Sequence, residues 1–362
     1  MRVLVLAPYR RDTAPSQRYR IEQWMPLLER AGVDFEFDAF MSEALHAILY
    51  RSGQLVGKAL CVARDYLRRL GRAVRARRFD AIYLHREAAI IGPAWIERLV
   101  TWTGTPLVYE FDDAIYIPYD SPANKIFSRL KFADKTATIC KLSAHVIVGN
   151  QVLRDYAALH NDHVTIVPTT IDTSIYRPSC RYQLVGDEVP VIGWTGSHSS
   201  AQYLDTLRPA FTRLAATHKF KLHIVGAQPY ELSVPGVEVR AVPWRSATEA
   251  QDLAPVHVGV MPLPDESWAR AKCACKALQY MALGIPTVVA PVGVNTVVVK
   301  DGVNGLHATT TDEWVAALGK LLDDAALRRR LGEAAAVTVE DEYSARVHAP
   351  RVGKILAEVA RA

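Results

Sequence analysis

The sequence is poor in cysteine and has no long apolar run. Its five cysteines are odd in number and lack the spacing of a zinc finger or a redox pair, so we expect ordinary buried thiols. No uncharged apolar run reaches 18 residues, and the apolar start of the chain meets charge within ten residues, too early for a signal peptide. These absences predict a soluble, cytoplasmic protein. The cysteines are Cys61, Cys140, Cys180, Cys273 and Cys275.

The composition is that of a folded chain with one strongly basic stretch. Of the 362 residues, 50% are hydrophobic and 22% are charged, which excludes the disordered class and predicts two domains. The net charge of +5 is uneven. Residues 51–78 carry nine basic side chains against Asp65 alone, so the rest of the chain is slightly acidic.

Short apolar runs alternate with amphipathic ones in two successive sets. The first set predicts strands at 3–7, 33–37, 81–85, 107–111, 146–149 and 164–167, a helix at 17–31 and a long helical stretch to about 78. After a proline-bounded connector, the second set predicts strands at 190–194, 221–225, 237–242, 257–261 and 287–290, and helices at 311–323 and 325–337.

This alternation predicts an α/β protein with parallel sheets and right-handed crossovers. We expect two Rossmann-like doubly wound domains that face an interdomain cleft, because such sheets bind ligands outside the carboxyl ends of their strands. The predicted boundaries are 1–175 for the first domain, 176–189 for a linker, 190–340 for the second domain and 341–362 for a C-terminal helix.

The second domain opens with a strand that runs into a turn of small residues. Gly193 and Gly196 would let the backbone approach a ligand, Ser197 and the serines after it favour a helix N-terminus, and His198 lies among them. The pattern fits a diphosphate seat and equally an ordinary strand-to-helix turn. A lone glycine pair does not decide between the two.

Two lysines follow in the same predicted domain. A helix that begins near Lys272 would place Lys272 and Lys276 one turn apart on one face, with Gln279 close behind. Such lysines suit a diphosphate or simply a solvated helix face. The Val292-Gly293 turn and a second turn at 301–306 fall on the same predicted edge, which favours the binding site.

The run at 279–290, the Val292-Gly293 turn and the Asp-Gly-Val-Asn-Gly-Leu turn at 301–306 together resemble a known family. They are similar to the donor-binding half of a GT-B-fold glycosyltransferase of the family 4 type, the glycosyl transferases group 1. The resemblance implies that the second domain binds a nucleotide sugar and that the C-terminal helix returns toward the first domain. It also implies retaining transfer without a metal or any other cofactor.

The sequence departs from this family at several positions. The family has two glutamates eight residues apart, where this chain has Ala271 and Gln279, and Asp265 or Glu266 are the nearest substitutes for the first. We predict that the Gln279 amide contacts the ribose and that the two lysines neutralise the diphosphate. The predicted donor-binding set is Gly196, Ser197, His198, Lys272, Lys276, Gln279, Val292 and Gly293.

Polar residues also follow two strands of the first domain. We predict His85, Asp112 and Asp113, together with Lys272 and Lys276, as catalytic residues, the aspartates holding an acceptor hydroxyl or serving as its base. The alternatives are a buried structural histidine and a helix-capping aspartate. Arg18, Arg86 and Glu87 are predicted on the acceptor side. No metal site is predicted.

The basic stretch at 51–78 carries apolar residues at helical spacing between its arginines. This pattern predicts a basic amphipathic helix on an anionic membrane surface, with a core-packed helix and a solvated basic face as the alternative. Nucleic acid is excluded as a partner, since interleaved aromatics and a recognisable binding module are lacking. The protein is then cytoplasmic and peripheral on the inner face of the membrane.

Three functions remain open from the sequence. The first is transfer of a sugar from a nucleotide sugar to a saccharide or lipid-linked acceptor, in the assembly of cell-surface glycans. The second is a GT-B-fold nucleotide-sugar epimerase, which would turn over without an acceptor. The third is an inactive nucleotide- or glycan-binding subunit, which the missing first glutamate favours. A fold resemblance does not separate these functions.

Overall fold

The computed structural model describes residues 1–49, 53–117, 132, 134–180, 189–227, 230 and 232–361. The chain divides into two compact units. The first comprises Met1–Thr169 and His348–Ala362, and the second comprises Thr170–Val347. The first unit thus ends a few residues before the predicted boundary at 175, and the C-terminal helix divides between the units at His348.

The first unit contains a parallel sheet of six strands in the order β2-β1-β3-β4-β5-β6. Its central strands are buried along their whole length, as is typical of parallel sheets that are covered by helices on both faces. The strands are β1 (Arg2–Ala7), β2 (Asp34–Ala39), β3 (Ala81–His85), β4 (Leu107–Phe111), β5 (His145–Val148) and β6 (Val164–Ile166).

The helices of the first unit are shorter than predicted. The helix predicted at 17–31 is three segments, because the backbone kinks at Arg20 within a π-type turn at Arg18–Glu22. The stretch predicted to run to about 78 is two helices and a 3-10 turn at Ala76–Arg78. The helices are α1 (Pro15–Gln17), α2 (Gln23–Arg30), α3 (Glu43–Leu49), α4 (Leu55–Val74), α5 (Trp95–Trp102), α6 (Lys135–Leu142) and α7 (Gln151–Ala158).

The second unit contains a second parallel sheet of six strands, in the order β12-β11-β10-β7-β8-β9. The prediction of two doubly wound parallel sheets is therefore confirmed. The strands are β7 (Val191–Gly196), β8 (Lys221–Gly226), β9 (Glu238–Val242), β10 (Val258–Met261), β11 (Thr287–Val289) and β12 (Leu306–His307). The two-residue strand β12 was not predicted, because so short a run carries no apolar period.

Helices cover this second sheet, and the capping residues explain where two of them begin. Thr310 and Glu313 form a capping box, and Asp324 caps the next helix. The helices are α8 (His198–Asp205), α9 (Arg208–Ala215), α10 (Glu249–Leu253), α11 (Ser267–Arg270), α12 (Cys275–Ala282), α13 (Asn295–Val298), α14 (Thr311–Asp323) and α15 (Ala325–Thr338). The last helix, α16 (Ala345–Val359), begins in this unit and belongs to the first unit from His348 onward. Within the described ranges, none of the helices is long and apolar enough to cross a membrane.

Candidate active site

The strand order of the first sheet changes direction between β1 and β3, and polar side chains meet at the carboxyl edge there. Such a switch point is where open parallel sheets bind ligands. His85 ends β3, Asp112 directly follows β4, and Ser16 of α1 lies against both. The structure therefore brings together the predicted His85 and Asp112, which are far apart in sequence.

A chain of hydrogen bonds links these residues. Ser16 Oγ donates to Asp112 Oδ1 at 2.6 Å and lies 3.2 Å from His85 Nε2, while His85 Nδ1 lies 2.5 Å from Glu110 Oε2. The single Ser16 proton goes to Asp112, which leaves Oγ able to accept a hydrogen bond. The His85 ring thus lies between Ser16 and Glu110, with one nitrogen at hydrogen-bonding distance from each.

A buried arginine holds Glu110 from the other side. Arg20 Nε donates to Glu110 Oε1 at 2.7 Å, and Arg20 Nη1 donates to the Val167 carbonyl at 2.6 Å. Both charged side chains are fully buried, and buried charges are stable only when they are paired and hydrogen-bonded. The kink at Arg20 thus places its guanidinium in the floor of the site.

Arg86 fixes Asp112 in its ionised form. Arg86 Nε and Nη2 lie 3.1 and 2.9 Å from Asp112 Oδ1. Burial alone would raise the pKa of Asp112, but the Arg86 charge and the neighbouring cations outweigh it and hold that pKa well below its usual range. Arg86 itself has a left-handed backbone at φ 58°, a conformation that is costly outside glycine and frequent at functional sites.

Asp113 lies beside this cluster and is bound locally. Its Oδ1 accepts from the backbone N–H of Ala114 at 3.1 Å, and its Oδ2 is 3.7 Å from Arg86 Nη2. Asp113 therefore adds negative charge near Arg86 and stabilises its own turn. Asp112 rather than Asp113 is the carboxylate of the hydrogen-bonded chain.

The other residues predicted on the acceptor side have different partners. Glu87 accepts from the buried Lys135, Nζ to Oε2 at 3.1 Å. Arg18 Nε lies 3.5 Å from Asp12 Oδ1, in the loop before α1. The acceptor-side role of Glu87 and Arg18 remains a prediction.

In the second sheet, the switch point lies between β7 and β10, and the predicted diphosphate turn is at the end of β7. A Cβ atom at Gly196 would lie 2.6 Å from the Trp194 ring and 2.7 Å from Ser200 Oγ, so only glycine fits there. Ser197 occupies the N-cap position of α8. The side chain of His198 lies outside the described structure.

Gly193 has a packing role that the sequence does not predict. A Cβ atom there would lie 2.2 Å from the side chain of Val256, which packs against the strand. The expectation that Gly193 admits a ligand remains a prediction. Core packing requires this glycine.

The two lysines are not on one helical face, so that prediction is wrong. Helix α11 ends at Arg270 and α12 begins only at Cys275, because Ala274 has a left-handed backbone at φ 54°. Lys272 lies in the link, with its ammonium 5.1 Å from the Trp268 ring. Lys276 lies in the first turn of α12, with its ammonium 5.6 Å from the Trp194 ring.

Trp194 connects Lys276 to the turn at the end of β7. The same indole ring lies under the Lys276 ammonium and against the open side of Gly196. A cation over an aromatic face is held in place by the ring quadrupole. Lys276 is therefore fixed beside the turn that ends β7, as a diphosphate ligand would require.

Gln279 is buried in α12, and its side chain bonds to a glutamate that the sequence did not single out. Gln279 Nε2 donates to Glu249 Oε1 at 2.7 Å, and Tyr176 Oη donates to Glu249 Oε2 at 2.8 Å. Gln279 is only 3% exposed. Its predicted contact with a ribose is untested and remains a prediction.

The Val292-Gly293 turn packs closely against the end of α11. Gly293 has φ 55°, and a Cβ atom there would lie 2.4 Å from the Arg270 carbonyl oxygen, so both conformation and space require glycine. Val292 is buried. Arg270 Nε and Nη2 donate to Asp265 Oδ1 and Oδ2 at 2.6 and 2.9 Å. Asp265, one of the two predicted substitutes for the missing glutamate, is therefore already paired with an arginine.

The sequence did not single out Ser16, Arg20, Glu110 or Glu249 of these clusters. Ser16 follows a segment rich in turn residues, and its partners are 69 and 96 positions away. Arg20 and Glu249 lie in amphipathic stretches where a charge predicts exposure. Across the ranges that the structure describes, no group of three or more His, Cys, Asp or Glu side chains is arranged to hold a metal ion.

Residues 189–324 match the family model described as glycosyl transferases group 1. A curated relative, the D-inositol 3-phosphate glycosyltransferase of Stackebrandtia nassauensis, is 30% identical over 212 residues. That alignment covers 51% of this chain and 46% of the relative, so it spans about half the length of each.

Solved structures show the same fold over the whole chain. Sucrose-phosphate synthase from Thermosynechococcus elongatus has a TM-score of 0.68 at 15% identity and covers 99% of both chains. Anabaena HepE, solved with UDP-glucose, has a TM-score of 0.67 at 17% identity and covers 99% of this chain and all of its own. Residues 189–324 thus match the group 1 glycosyl transferase model, and the whole chain has a fold of the GT-B class.

Proposed function

We propose that the protein is a glycosyltransferase that moves a sugar from a nucleotide sugar to a saccharide or lipid-linked acceptor. The transfer is retaining and independent of metal, and it belongs to cell-surface glycan assembly. The observation that carries the proposal is that residues 189–324, which match the group 1 family, hold Gly196, Lys276 and Gly293 in the arrangement described above. The epimerase and the inactive subunit are the alternatives that the experiments below test.

Nucleotides bound to similar proteins support the donor class. Anabaena HepE was solved with UDP and with UDP-glucose, and the catalytic domain of starch synthase IV from Arabidopsis thaliana with ADP. The curated relative is named for transfer to an inositol phosphate. We therefore expect a nucleoside diphosphate sugar as the donor and leave the base to experiment.

In the second unit, Lys276 and the turn at Gly196 supply the charge for the leaving group. Departure of a nucleoside diphosphate develops negative charge, which preorganised cations and backbone N–H groups stabilise. Lys276 lies over the Trp194 ring beside the turn at Gly196, whereas Lys272 lies in the link between two helices, over the Trp268 ring. We assign the larger share of this stabilisation to Lys276.

In the first unit, Asp112 orients the acceptor. A carboxylate whose pKa lies well below its usual range is a weak base and a good hydrogen-bond acceptor. It therefore holds an acceptor hydroxyl instead of removing its proton. His85 and Ser16 maintain the direction of this carboxylate through their hydrogen bonds.

The first test is thermal unfolding of the whole protein with UDP, GDP, dTDP, CMP and NAD. A ligand at 100 times its Kd stabilises the fold by about 2.7 kcal/mol, which raises the melting temperature visibly. We expect a selective rise with one nucleoside diphosphate. If no diphosphate raises the melting temperature, the transferase and the epimerase are both excluded. An inactive subunit that binds a glycan, and not a nucleotide, then remains.

The second test measures consumption of sugars on the nucleotide that the first test selects. We expect turnover that depends on an acceptor, persists in a chelator and is lost in Lys276→Ala. The exposed Lys320→Ala in α14 is the matched control and should retain wild-type turnover. Turnover without acceptor and without release of the nucleotide would indicate the epimerase.

The membrane contact predicted for residues 51–78 belongs to the same proposal but rests on other residues. It would bring the enzyme to a lipid-linked acceptor.

A further inference from the structure

Helix α4 turns an apolar stripe outward. Val56, Leu60, Leu67 and Val74 follow one another at spacings of four and seven residues, and their exposed fractions are 75, 67, 69 and 57%. Residues at these spacings share one face of a helix. A surface helix normally packs such a stripe into the core and exposes its polar face. In α4 this orientation is reversed.

The inward side of α4 explains the reversal. Asp65 and Arg69 are both buried, and each has a polar atom that bonds to the backbone of the adjoining strand ends and loops. Asp65 Oδ2 accepts from the Ser42 N–H at 2.9 Å, and Arg69 Nη2 donates to the carbonyl oxygens of Ala7 and Asp38, each at 2.9 Å. These charged groups anchor the helix, so the predicted alternative of an apolar face in the core is wrong for this stripe.

Helix α5 extends the same surface. The crossovers from β2 to β3 and from β3 to β4 run in the same direction across the sheet, so right-handed connections place α4 and α5 on one face, where they contact each other. The outward side of α5 carries Trp95 and Trp102, with exposed fractions of 63 and 83%, and the exposed Arg98. Two tryptophans thus continue the apolar stripe.

The charge on this surface has one sign. The acidic residues within 55–78 and 95–102 are Asp65 and Glu97, and both are buried. On one flank of α4, Arg68 and Arg72 pair with Asp38 and Glu36. Four further arginines are exposed and have no carboxylate within ion-pair distance among the residues that the structure describes: Arg75, Arg77, Arg78 and Arg98.

We propose that the surface formed by Val56, Leu60, Leu67 and Val74 of α4, by Trp95 and Trp102 of α5 and by the four exposed arginines docks on an anionic lipid bilayer. Peripheral binding strengthens with the apolar area that is buried and with electrostatic attraction to anionic lipids, and both contributions are present here. Tryptophan is the residue that favours the interface between headgroups and acyl chains. Charge complementarity therefore selects an anionic bilayer as the occupant.

A second copy of the chain is a poorer occupant. A twofold dimer would pair this surface with itself. It would bring the arginines of two copies together without an exposed carboxylate on either helix to neutralise them. A bilayer that contains phosphatidylglycerol supplies the negative charge that such a dimer lacks.

The test is flotation of the full chain with vesicles of phosphatidylcholine alone or with 30 mol% phosphatidylglycerol. We expect binding to the mixed vesicles, at least tenfold weaker binding to phosphatidylcholine, and a further loss in high salt, which screens the arginines. Leu60→Ser/Leu67→Ser and, separately, Arg75→Gln/Arg77→Gln/Arg78→Gln should each reduce binding at least tenfold. Trp102→Phe should lower the quenching of protein fluorescence by brominated lipids.

Matched controls lie elsewhere on the first unit. Leu159→Ser removes an equally exposed leucine, and Arg154→Gln/Arg351→Gln/Arg361→Gln removes the same charge from exposed positions. Both should bind as the wild type does. All substitutions are at exposed side chains, and unchanged melting temperatures would verify that the variants fold.

The proposal is overturned if the wild type does not float with the mixed vesicles, or if the leucine variant binds as well as its control. The surface would instead be a subunit interface if light scattering shows the wild type to be a dimer and the leucine variant to be a monomer, and if neither protein binds vesicles. Nucleotide-dependent stabilisation is measured without vesicles. Failure of the donor proposal is therefore distinguishable from failure of this one.

Discussion

Gln279 and Glu249 form a buried hydrogen bond in which the amide Nε2 donates to the carboxylate Oε1 at 2.7 Å. The family resemblance implies a glutamate at 279. That glutamate would place a second carboxylate against Glu249, and two adjacent buried carboxylates cannot both stay ionised without a large cost. The glutamine is therefore complementary to Glu249, and the departure from the family pattern has a physical reason.

We predict that Gln279→Glu destabilises the second unit, although it restores the family residue. The loss of the amide donor leaves a buried charged group unsatisfied, which costs about 1–3 kcal/mol or more. The double variant Gln279→Glu/Glu249→Gln should recover most of this loss, because the donor and the acceptor merely exchange places. Urea unfolding of the two single variants and the double variant measures the coupling. Additive losses in the double variant would contradict it.

Removal of the buried guanidinium at Arg20 should strongly destabilise the first unit. Arg20→Met leaves Glu110 without its cation inside the protein, and breaking a buried ion pair in this way costs about 3–5 kcal/mol. The matched control is Arg2→Met, which breaks the exposed pair of Arg2 with Asp34 and should cost about 1 kcal/mol or less. Equal losses in chemical denaturation would show that the pair at Glu110 is not the source of stability.

Acid should remove the stabilisation that Asp112 provides. Its pKa in the folded protein is below the unfolded value of about 3.9, so this contribution is complete above that pH and is lost as the pH falls through the lower folded value. We expect the melting temperature to fall from about pH 4 downward, and the fall to be shallower in Asp112→Asn. Asp34→Asn, at an exposed position, should keep the wild-type slope. An unchanged slope in Asp112→Asn would contradict the assignment.

The strands could be predicted from the sequence because buried parallel strands are short continuous apolar runs. The predictions at 81–85 and 107–111 match β3 and β4 in both bounds. From these bounds it also follows that His85 and Asp112 share a sheet edge, since neighbouring parallel strands end together. This part of the site depends only on local pattern and on the rule for parallel sheets.

The remaining site residues depend on partners that are distant in the sequence. Nothing near Ser16 indicates that His85 and Asp112 lie beside it, and nothing near Gln279 indicates Glu249. The orientation of α4 was unpredictable for the same reason. Its apolar stripe has the period of a core-facing helix, and only the buried contacts of Arg69 reveal that the stripe faces outward.

Gly293 and Gly71 should respond in opposite ways to alanine. Gly293 has a left-handed backbone, and an added Cβ would lie 2.4 Å from the Arg270 carbonyl oxygen. The backbone conformation alone costs about 1–2 kcal/mol for a residue with a side chain, and the contact adds to this cost. We therefore expect Gly293→Ala to lower the melting temperature and to weaken stabilisation by the nucleotide.

Gly71 lies within α4, and nothing within 4 Å would meet its Cβ. Gly71→Ala should stabilise the protein by about 0.5–1 kcal/mol, because alanine loses less backbone entropy in a helix. Thermal unfolding of both variants, with and without the nucleoside diphosphate that binds, measures the contrast. If the nucleotide raises the melting temperature of Gly293→Ala as much as that of Gly71→Ala, the Val292-Gly293 turn is not part of the donor site, whatever the effect of the substitution on stability.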